Sequence, residues 1–432
     1  MKFPDRSDVD HLIEPQSLPE FARIRYEPGS ESLADPVTDV RAELDALAVD
    51  ELDEGATVAV GVGSRGIHRI DDVVHGIVAE LEERGFAPVI VPAMGSHGGA
   101  TPEGQREVLA SLGITDETVG APIDARMDAK LLATVTVGDA DVPVYFATAA
   151  LEADAMLVVN RVKAHTNFSG PIESGLAKMT VVGLGKQRGA KSFHSTAIAE
   201  GYVETLTAAL DAIESSVPLL GGVALVENFE DELAYVEGVP AGSFTEREPE
   251  LLERAYDEMA TLPVDDIDLL VVDEIGKEIS GAGMDTNVIG RYRVLNAPDP
   301  QNPDIDLIYV RGLTEETNGN GNGIGLADLT RRAAVDQLDL KKTYANALTS
   351  GSLAKSKLPV VAPDDEFALR TALAALGSYD PETVRILWIE NTEDLGELRV
   401  SAAVVEDLPA SATVAARETL IFEDGTARFR DA

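Results

Sequence analysis

The chain has 432 residues, 76 acidic against 35 basic for a formal net charge of −41, and 44% of them are apolar. That apolar content buries real cores and excludes a disordered acidic chain, while the charge excludes a general nucleic-acid binder and a ligand of anionic membranes. The absence of cysteine excludes disulfides, thiolate catalysis, Fe–S clusters and cysteine-ligated zinc.

The length predicts two domains or one large α/β body. Residues 1–55 are polar and mixed, with a helix expected at Pro36–Glu51. From there β-type and helical runs alternate. Thr57–Val62 reads as a buried strand, Asp71–Arg84 as an amphipathic helix ending at Gly85, and Ala87–Val91 as a strand. Thr101–Leu112 reads as a helix capped at Thr101, Ala155–Asn160 as a strand, Ser195–Ile213 as a helix and Gly222–Glu227 as a strand. A charged helix at Glu246–Thr261, followed by Pro263, marks the expected boundary between residues 1–262 and 263–432. Beyond it, Asp268–Val272, Asp306–Val310, Leu358–Val361 and Val384–Ile389 read as strands, with helices at Gly325–Gln337 and Asp365–Leu376. Asn318–Gly325, rich in Asn-Gly, reads as a flexible surface linker or flap. Strand–helix alternation predicts two α/β domains with mainly parallel sheets.

The acids are spread along the chain, and lysine is scarce, 11 against 24 Arg. Dispersed acids with few lysines predict a protein of a salt-in halophile, where salt screens the repulsion. The N-terminal sequence is not expected to be a signal peptide, and no apolar run approaches about 18 residues, so a cytoplasmic protein is expected.

Against this background, acid-poor stretches stand out. Residues 160–194 hold one acid, Glu173, and four of the lysines: Lys163, Lys178, Lys186 and Lys191. Thr57–Ile70 and Gly85–Pro102 hold none. Each contains or follows a strand and runs into a Gly-rich turn, where parallel-sheet proteins place ligands. Burial depletes acids but does not gather lysines, because unpaired buried lysine is costly. The three stretches are therefore expected to converge on one anion-binding cleft.

Three motifs lie in them. Gly61-Val-Gly-Ser-Arg-Gly66 is a literal G-x-G-x-x-G, but Ile67–Ile70 separates it from the helix and the next strand ends without an acid, so the dinucleotide fingerprint fails on context. Arg65 there suits a bidentate carboxylate or phosphate clamp. In Met94-Gly-Ser-His-Gly-Gly99, the glycines let the backbone approach a ligand, and His97 is an acid–base candidate. The third runs from Asn160 through His165 and Ser174-Gly-Leu-Ala-Lys178 to His194. Of six histidines, His11 and His75 read as surface residues, His68 is open between readings, and His97, His165 and His194 lie in the acid-poor segments. They and a lysine can supply proton transfer, a metal ligand and a covalent anchor.

These residues, over roughly 55–230, resemble the nickel-pincer-nucleotide-dependent lactate racemases and related 2-hydroxyacid racemases and epimerases. Ser64-Arg65 matches the family's Ser/Thr-Arg pair, and Gly95-Ser96-His97 matches the loop with its first catalytic histidine. His165 and Lys178 look like the second catalytic histidine and the lysine that holds the cofactor covalently. His194 stands 16 residues past Lys178, as the family's nickel ligand does.

The resemblance implies an isomerase that inverts the α-carbon of a small anionic 2-hydroxy acid. His97 and His165 act as acid and base, with a nickel-pincer nucleotide on Lys178 and nickel on His194. Gly95, Ser96, Gly98, Gly99 and Lys186 are expected to hold the nucleotide, Arg65 and Lys277 the substrate. The family also implies a site in the inter-domain cleft and a supply of cofactor from upstream synthesis enzymes. Leu176 replaces a family glycine, Pro171-Ile-Glu173 lengthens the gap between His165 and Lys178, and Val62 stands where an Asp usually precedes the Ser/Thr-Arg pair. These departures mark a divergent member. The alternatives are an NAD(P)-dependent oxidoreductase using the Gly61–Gly66 turn, or a non-catalytic nucleotide-cofactor-binding protein.

Overall fold

The computed structural model describes residues 2–432 except Ser30, Arg65, Asn296 and Ser378, and gives the backbone alone at Ile198, Thr349 and Ser350. It divides into two compact units. One, the central unit, comprises Ser30–His165 and Ser169–Met259. The other, the terminal unit, comprises Met1–Gly29, Thr166–Phe168 and Ala260–Ala432. The change of unit near residue 260 lies close to the boundary read from the charged helix. Met1–Gly29 departs from the sequence reading because Phe21–Tyr26 is a strand that pairs antiparallel with both Glu397–Ser401 and Ala412–Glu423.

The central unit is built on a five-stranded sheet in the order Ala87–Pro92, Thr57–Val62, Ala155–Arg161, Leu219–Glu227, Leu233–Pro240. Its first four strands are parallel and the last is antiparallel. Both faces are buried, which is why the strands read as continuous apolar runs rather than alternating ones. Val58, Val60, Val62, Leu157 and Val159 pack with Val73, Ile77 and Leu81 of the Ile70–Glu83 helix. Ala59, Met156 and Val158 face the other way, onto Leu206, Leu210, Leu251 and Leu252. Each such aliphatic side chain contributes about 1.5–3 kcal/mol through burial. A hairpin, Ala129–Val137 with Ala140–Ala147, completes the unit.

The terminal unit holds a nine-stranded sheet whose Val360–Ala362, Leu329–Arg331, Asp304–Val310, Asp266–Val272 and Ile386–Ile389 strands are parallel. Its remaining four strands are antiparallel.

Four expectations change. The Pro36–Glu51 helix ends at Glu43 and goes on as two 3-10 turns, Leu44–Leu47 and Val49–Glu51, either side of Ala48 at φ +52°. The Ser195–Ile213 helix is two helices, Lys186–Glu200 and Tyr202–Glu214, because Gly201 between them has φ +103°. The Gly325–Gln337 helix is a short turn at Ile324–Leu326, a strand at Leu329–Arg331 and a helix at Arg332–Asp336. Asn318–Gly325 is not a surface flap. Gly321–Ile324 is buried, with Asn322 Nδ2 donating to Gly281 O (3.2 Å) and Gly323 N to Lys355 O (2.8 Å). Its glycines serve close backbone packing rather than mobility: a Cβ at Gly323 would meet Ala282 O at 2.1 Å. Among the described residues, no helix is long and apolar enough to cross a membrane.

Candidate functional site

In the central unit, the carboxyl ends of three neighbouring parallel strands carry the two acid-free loops and the loop whose one acid is Glu173. Thr57–Val62 runs into Gly63-Ser64, Ala87–Pro92 into Ala93–Gly99, and Ala155–Arg161 into Val162–Gly175. Ser64 Oγ and His97 Nδ1 are 2.5 Å apart. Gly95 N donates to Gly183 O (3.0 Å), joining the His97 loop to the segment after Lys178. Gly98 has φ +63°, and a Cβ there would lie 2.4 Å from the Gly104 carbonyl carbon, so the loop closes onto the following helix only with glycine. Thr101 caps that helix as expected, its Oγ1 accepting from Gly104 N (3.1 Å). Ser96, His97 and Gly99 are exposed and Gly98 is half-buried.

Lys186 lies beneath this loop rather than on its surface. It is fully buried; its Nζ donates to Pro92 O (2.8 Å) and Gln105 Oε1 (3.2 Å), and Gln105 Nε2 donates to Gly95 O (3.1 Å). Burial brings its pKa down to about 8. Its ammonium thus braces the loop from inside.

The third loop is organised by Glu173. This acid is buried; it accepts from His165 N (2.6 Å), Gly170 N (2.9 Å) and Tyr256 OH (2.9 Å). Burial raises its pKa, opposed by these bonds and by the Lys178 ammonium. The Pro171–Glu173 addition therefore supplies the group that pins His165. Asn160 Nδ2 donates to Gly175 O (3.2 Å), and a Cβ at Gly63 would meet Asn160 Oδ1 and Met179 Cε, each at 3.0 Å.

Lys178 ends a helical turn, Leu176–Lys178, that continues as a π-helical turn, Met179–Gly183. Such widened turns recur at functional sites. His194 projects from the Lys186–Glu200 helix. Its neighbour Phe193 packs edge-on to it with centroids 5.5 Å apart, Tyr202 lies 5.9 Å from Phe193, and His165 lies 6.3 Å from Tyr202. One run of rings thus leads from His165 to His194. Solvent reaches His194, yet protein crowds its ring. Desolvation first, and then the Lys178 ammonium, holds its pKa down to about 4. The open side tempers the size of this shift but not its sign, because Lys178 acts in the same direction. His194 is accordingly a neutral imidazole at ordinary pH, the form that binds metals.

Residues 66–289 match the family model described as a domain of unknown function, DUF362. The chain belongs to the DUF362 family. The matched segment spans His97, His165, Lys178, His194 and Lys277. A solved structure of a Thermotoga maritima protein, a structural-genomics target, is similar at 16% identity and a TM-score of 0.50. It covers 84% of this chain and 98% of its own, and it shares the fold. No curated protein matches the chain.

In this DUF362 member, Arg65 lies outside the described residues. The Gly61–Gly66 turn does not open a helix, which starts only at Ile70 after Arg69 in a left-handed conformation. His68 supports the fold, its N donating to Glu227 Oε1 (2.5 Å) and its Nδ1 accepting from Leu233 N (3.3 Å). His11 and His75 are exposed.

Lys277 belongs to the terminal unit, where its Nζ donates to Gly281 O. Thr166–Phe168, immediately after His165, also belong to that unit. There the buried Lys355 donates to Thr166 O (3.0 Å) and Asn167 Oδ1 (2.7 Å), and burial lowers its pKa to about 8.

Sequence reasoning missed Glu173, Gln105 and Tyr202 as parts of this framework, and Lys355 in the terminal unit. Only Glu173 carried a signal, as the lone acid of its window. Among the described residues, no group of three or more His, Asp and Glu could hold a metal ion. The donors present are one neutral imidazole and one half-buried amine beside it. That set fits a metal that arrives with most of its ligands on an organic cofactor.

Proposed function

We propose that this chain is a racemase or epimerase of small 2-hydroxy acids, working with a nickel-pincer nucleotide tethered to Lys178 and ligated through nickel by His194. The observation that carries the reading is that His97 and His165 sit in loops at the strand ends of one sheet, that the His97 loop is bonded to the segment after Lys178, and that the Lys178 ammonium acts on His194, all in the acid-poor part of a −41 chain. Imidazoles beside positive charge suit acid–base chemistry on an anion.

When bound, the cofactor supplies a reversible acceptor for the substrate's Cα hydride. The chain's own residues do the rest. One of His97 and His165 takes the hydroxyl proton, leaving a transient 2-keto acid. The other returns a proton when that acid is reduced on its opposite face. Two bases serve inversion where one would only reverse the step it made. Imidazoles, with pKa values near neutrality, work in both directions. Ser64 holds His97 by its Nδ1, so proton exchange falls to Nε2. Glu173 holds the His165 backbone. The resemblance gives the carboxylate to Arg65, and the Gly95–Gly99 backbone receives the nucleotide over the Lys186 brace. The dispersed charge suits the cytoplasm of a salt-in halophile.

The deciding experiment is mass spectrometry of the protein made alongside the cofactor-synthesis enzymes. A nucleotide-sized adduct on Lys178 with bound nickel supports the reading; unmodified Lys178 and no nickel in the native host removes it. Loaded protein is then screened on 2-hydroxy acids in molar KCl by chiral chromatography. Stoichiometric NAD binding by the apoprotein favours the oxidoreductase alternative. A loaded protein that exchanges no α-hydrogen favours the binding-protein alternative.

A further inference from the structure

We infer that Glu248 is the positioning residue for Lys178: from a separate helix it caps the turn on which Lys178 sits and fixes how that amine is presented. Glu248 lies on the Phe244–Glu258 helix, next to Pro249, and is 1% exposed. Its Oε1 accepts from Ala177 N at 2.6 Å, and the Leu176 N–H also favours its charged form. The carboxylate is pressed so closely against the turn that a Cβ on Gly175 would lie 2.8 Å from Glu248 Cδ. The glycine of the Ser174–Lys178 motif is thereby explained: it makes room for this carboxylate.

The turn needs such a support. The first N–H groups of a helical segment have no partner within it. Downstream of Lys178 the chain widens into the π-helical Met179–Gly183 turn, which leaves the usual α-helical ladder. Lys178 is therefore held from upstream. Leu176 and Ala177 are locked in the core, Asn160 holds the Gly175 carbonyl, and Glu248 holds the N–H groups.

A local Ser or Asp would cap the turn at little cost. Here a carboxyl is instead buried from a distant helix, with Oε2 lacking a hydrogen-bond partner among the described residues. Burial pushes its pKa up to about 7, against the two backbone N–H groups. An arrangement that costs stability and acts on the backbone beside one exceptional lysine points to function over folding.

The inference rests on Lys178 being the cofactor anchor, but its test reads the unloaded, full-length chain, so the two fail separately. Limiting N-acetoxysuccinimide is added, and acetylation of Lys178 is followed by peptide mass spectrometry relative to the exposed Lys341 of the same molecule. Glu248→Ala is expected to change the relative rate by about fivefold or more. Glu248→Gln keeps an accepting oxygen and is expected to restore it to within about twofold. Leu251→Ala removes a buried side chain from the same helix and is expected to leave the rate unchanged. If Glu248→Ala does not fold, Glu248→Asp, which draws the carboxylate back from Ala177, is expected to give the same change. Wild-type labelling in both Glu248→Ala and Glu248→Asp, or an equal change in Leu251→Ala, overturns the inference.

Discussion

Ser64 Oγ and His97 Nδ1 lie 2.5 Å apart, joining the ends of two neighbouring parallel strands through one hydrogen bond. The bond commits one ring nitrogen and leaves proton exchange to the other. Orienting partners of catalytic histidines act in this way. Ser64→Ala is expected to lower turnover of the cofactor-loaded protein by about 10- to 100-fold while leaving the Lys178 adduct intact. Steady-state kinetics with adduct mass measured in parallel checks this. Unchanged turnover would show that His97 needs no orientation, or takes no part.

His97, His165 and His194 occupy three different structural settings, and their variants should separate accordingly. His97→Ala and His165→Ala are expected to abolish racemisation with cofactor and nickel still attached. His194→Ala is expected to lose nickel and retain the organic adduct on Lys178. Metal analysis beside intact-protein mass spectrometry distinguishes the classes. Wild-type-like turnover in either of the first two removes the two-base mechanism.

Lys186 offers a test of brace against ligand contact. Lys186→Met keeps the buried volume but leaves Pro92 O and Gln105 Oε1 without their donor. The loss should be about 1–3 kcal/mol of stability, read as a lower thermal midpoint. The pKa near 8 sets the pH dependence. A lysine depressed below its unfolded value stabilises the fold above that value and loses the contribution as pH falls through the folded one. The deficit of the Met variant should therefore change between roughly pH 10.5 and pH 8. A pH-independent deficit would mean that the ammonium titrates normally.

In the terminal unit, the buried Asp365 accepts from Tyr309 OH (2.6 Å), Arg311 Nη2 (2.8 Å), Arg331 Nη1 (2.9 Å) and Ala427 N (2.9 Å). Burial works to raise its pKa, but these partners outweigh it and the net direction is down. Asp365→Ala takes away the buried carboxylate shared by two guanidinium groups, leaving Arg311 with Asp273 and Arg331 with the Arg311 carbonyl, and should cost about 3–5 kcal/mol. Differential scanning calorimetry would register the change, and a loss under 1 kcal/mol, by the same scale, would contradict the geometry.

The parallel core of both units was legible because strands buried on two faces leave uninterrupted apolar runs such as Thr57–Val62 and Asp268–Val272. The antiparallel strands Phe21–Tyr26, Glu397–Ser401 and Ala412–Glu423 were not. Their sequences carry charges at intervals, and Phe21–Tyr26 finds its partners almost 400 residues away. The acid-poor setting of the histidines and Lys178 was legible by contrast, since the acidity of the chain exposes where acids are missing. Their supports were not. Glu173 and Glu248 are two acids among 76; Glu173 stands out as the lone acid of its window, but nothing in the sequence around Glu248 separates a buried carboxylate from a solvated one. Asn318–Gly325 misled for a related reason: glycine marks both mobile chain and chain packed too closely for a Cβ.

Glu248 also sets a signature in the pH dependence of stability. Its carboxyl is raised from 4.5 to about 7, chiefly by burial, with the Ala177 and Leu176 N–H groups opposing. A carboxyl whose pKa is higher folded than unfolded favours the fold most below the unfolded value, and that contribution is lost as pH rises through the folded one. The wild-type chain should therefore lose stability from this group between about pH 4.5 and pH 7. Glu248→Gln cannot ionise, yet it keeps an oxygen for the Ala177 N–H. Its thermal midpoint should gain on the wild type as pH rises across that window, and the two should converge at the acid end. Measuring both proteins at constant ionic strength isolates the term, because every other carboxylate is common to the pair. Parallel curves would mean that Glu248 titrates as a solvated acid, and the close fit against Gly175 would then be made by the charged carboxylate across that window.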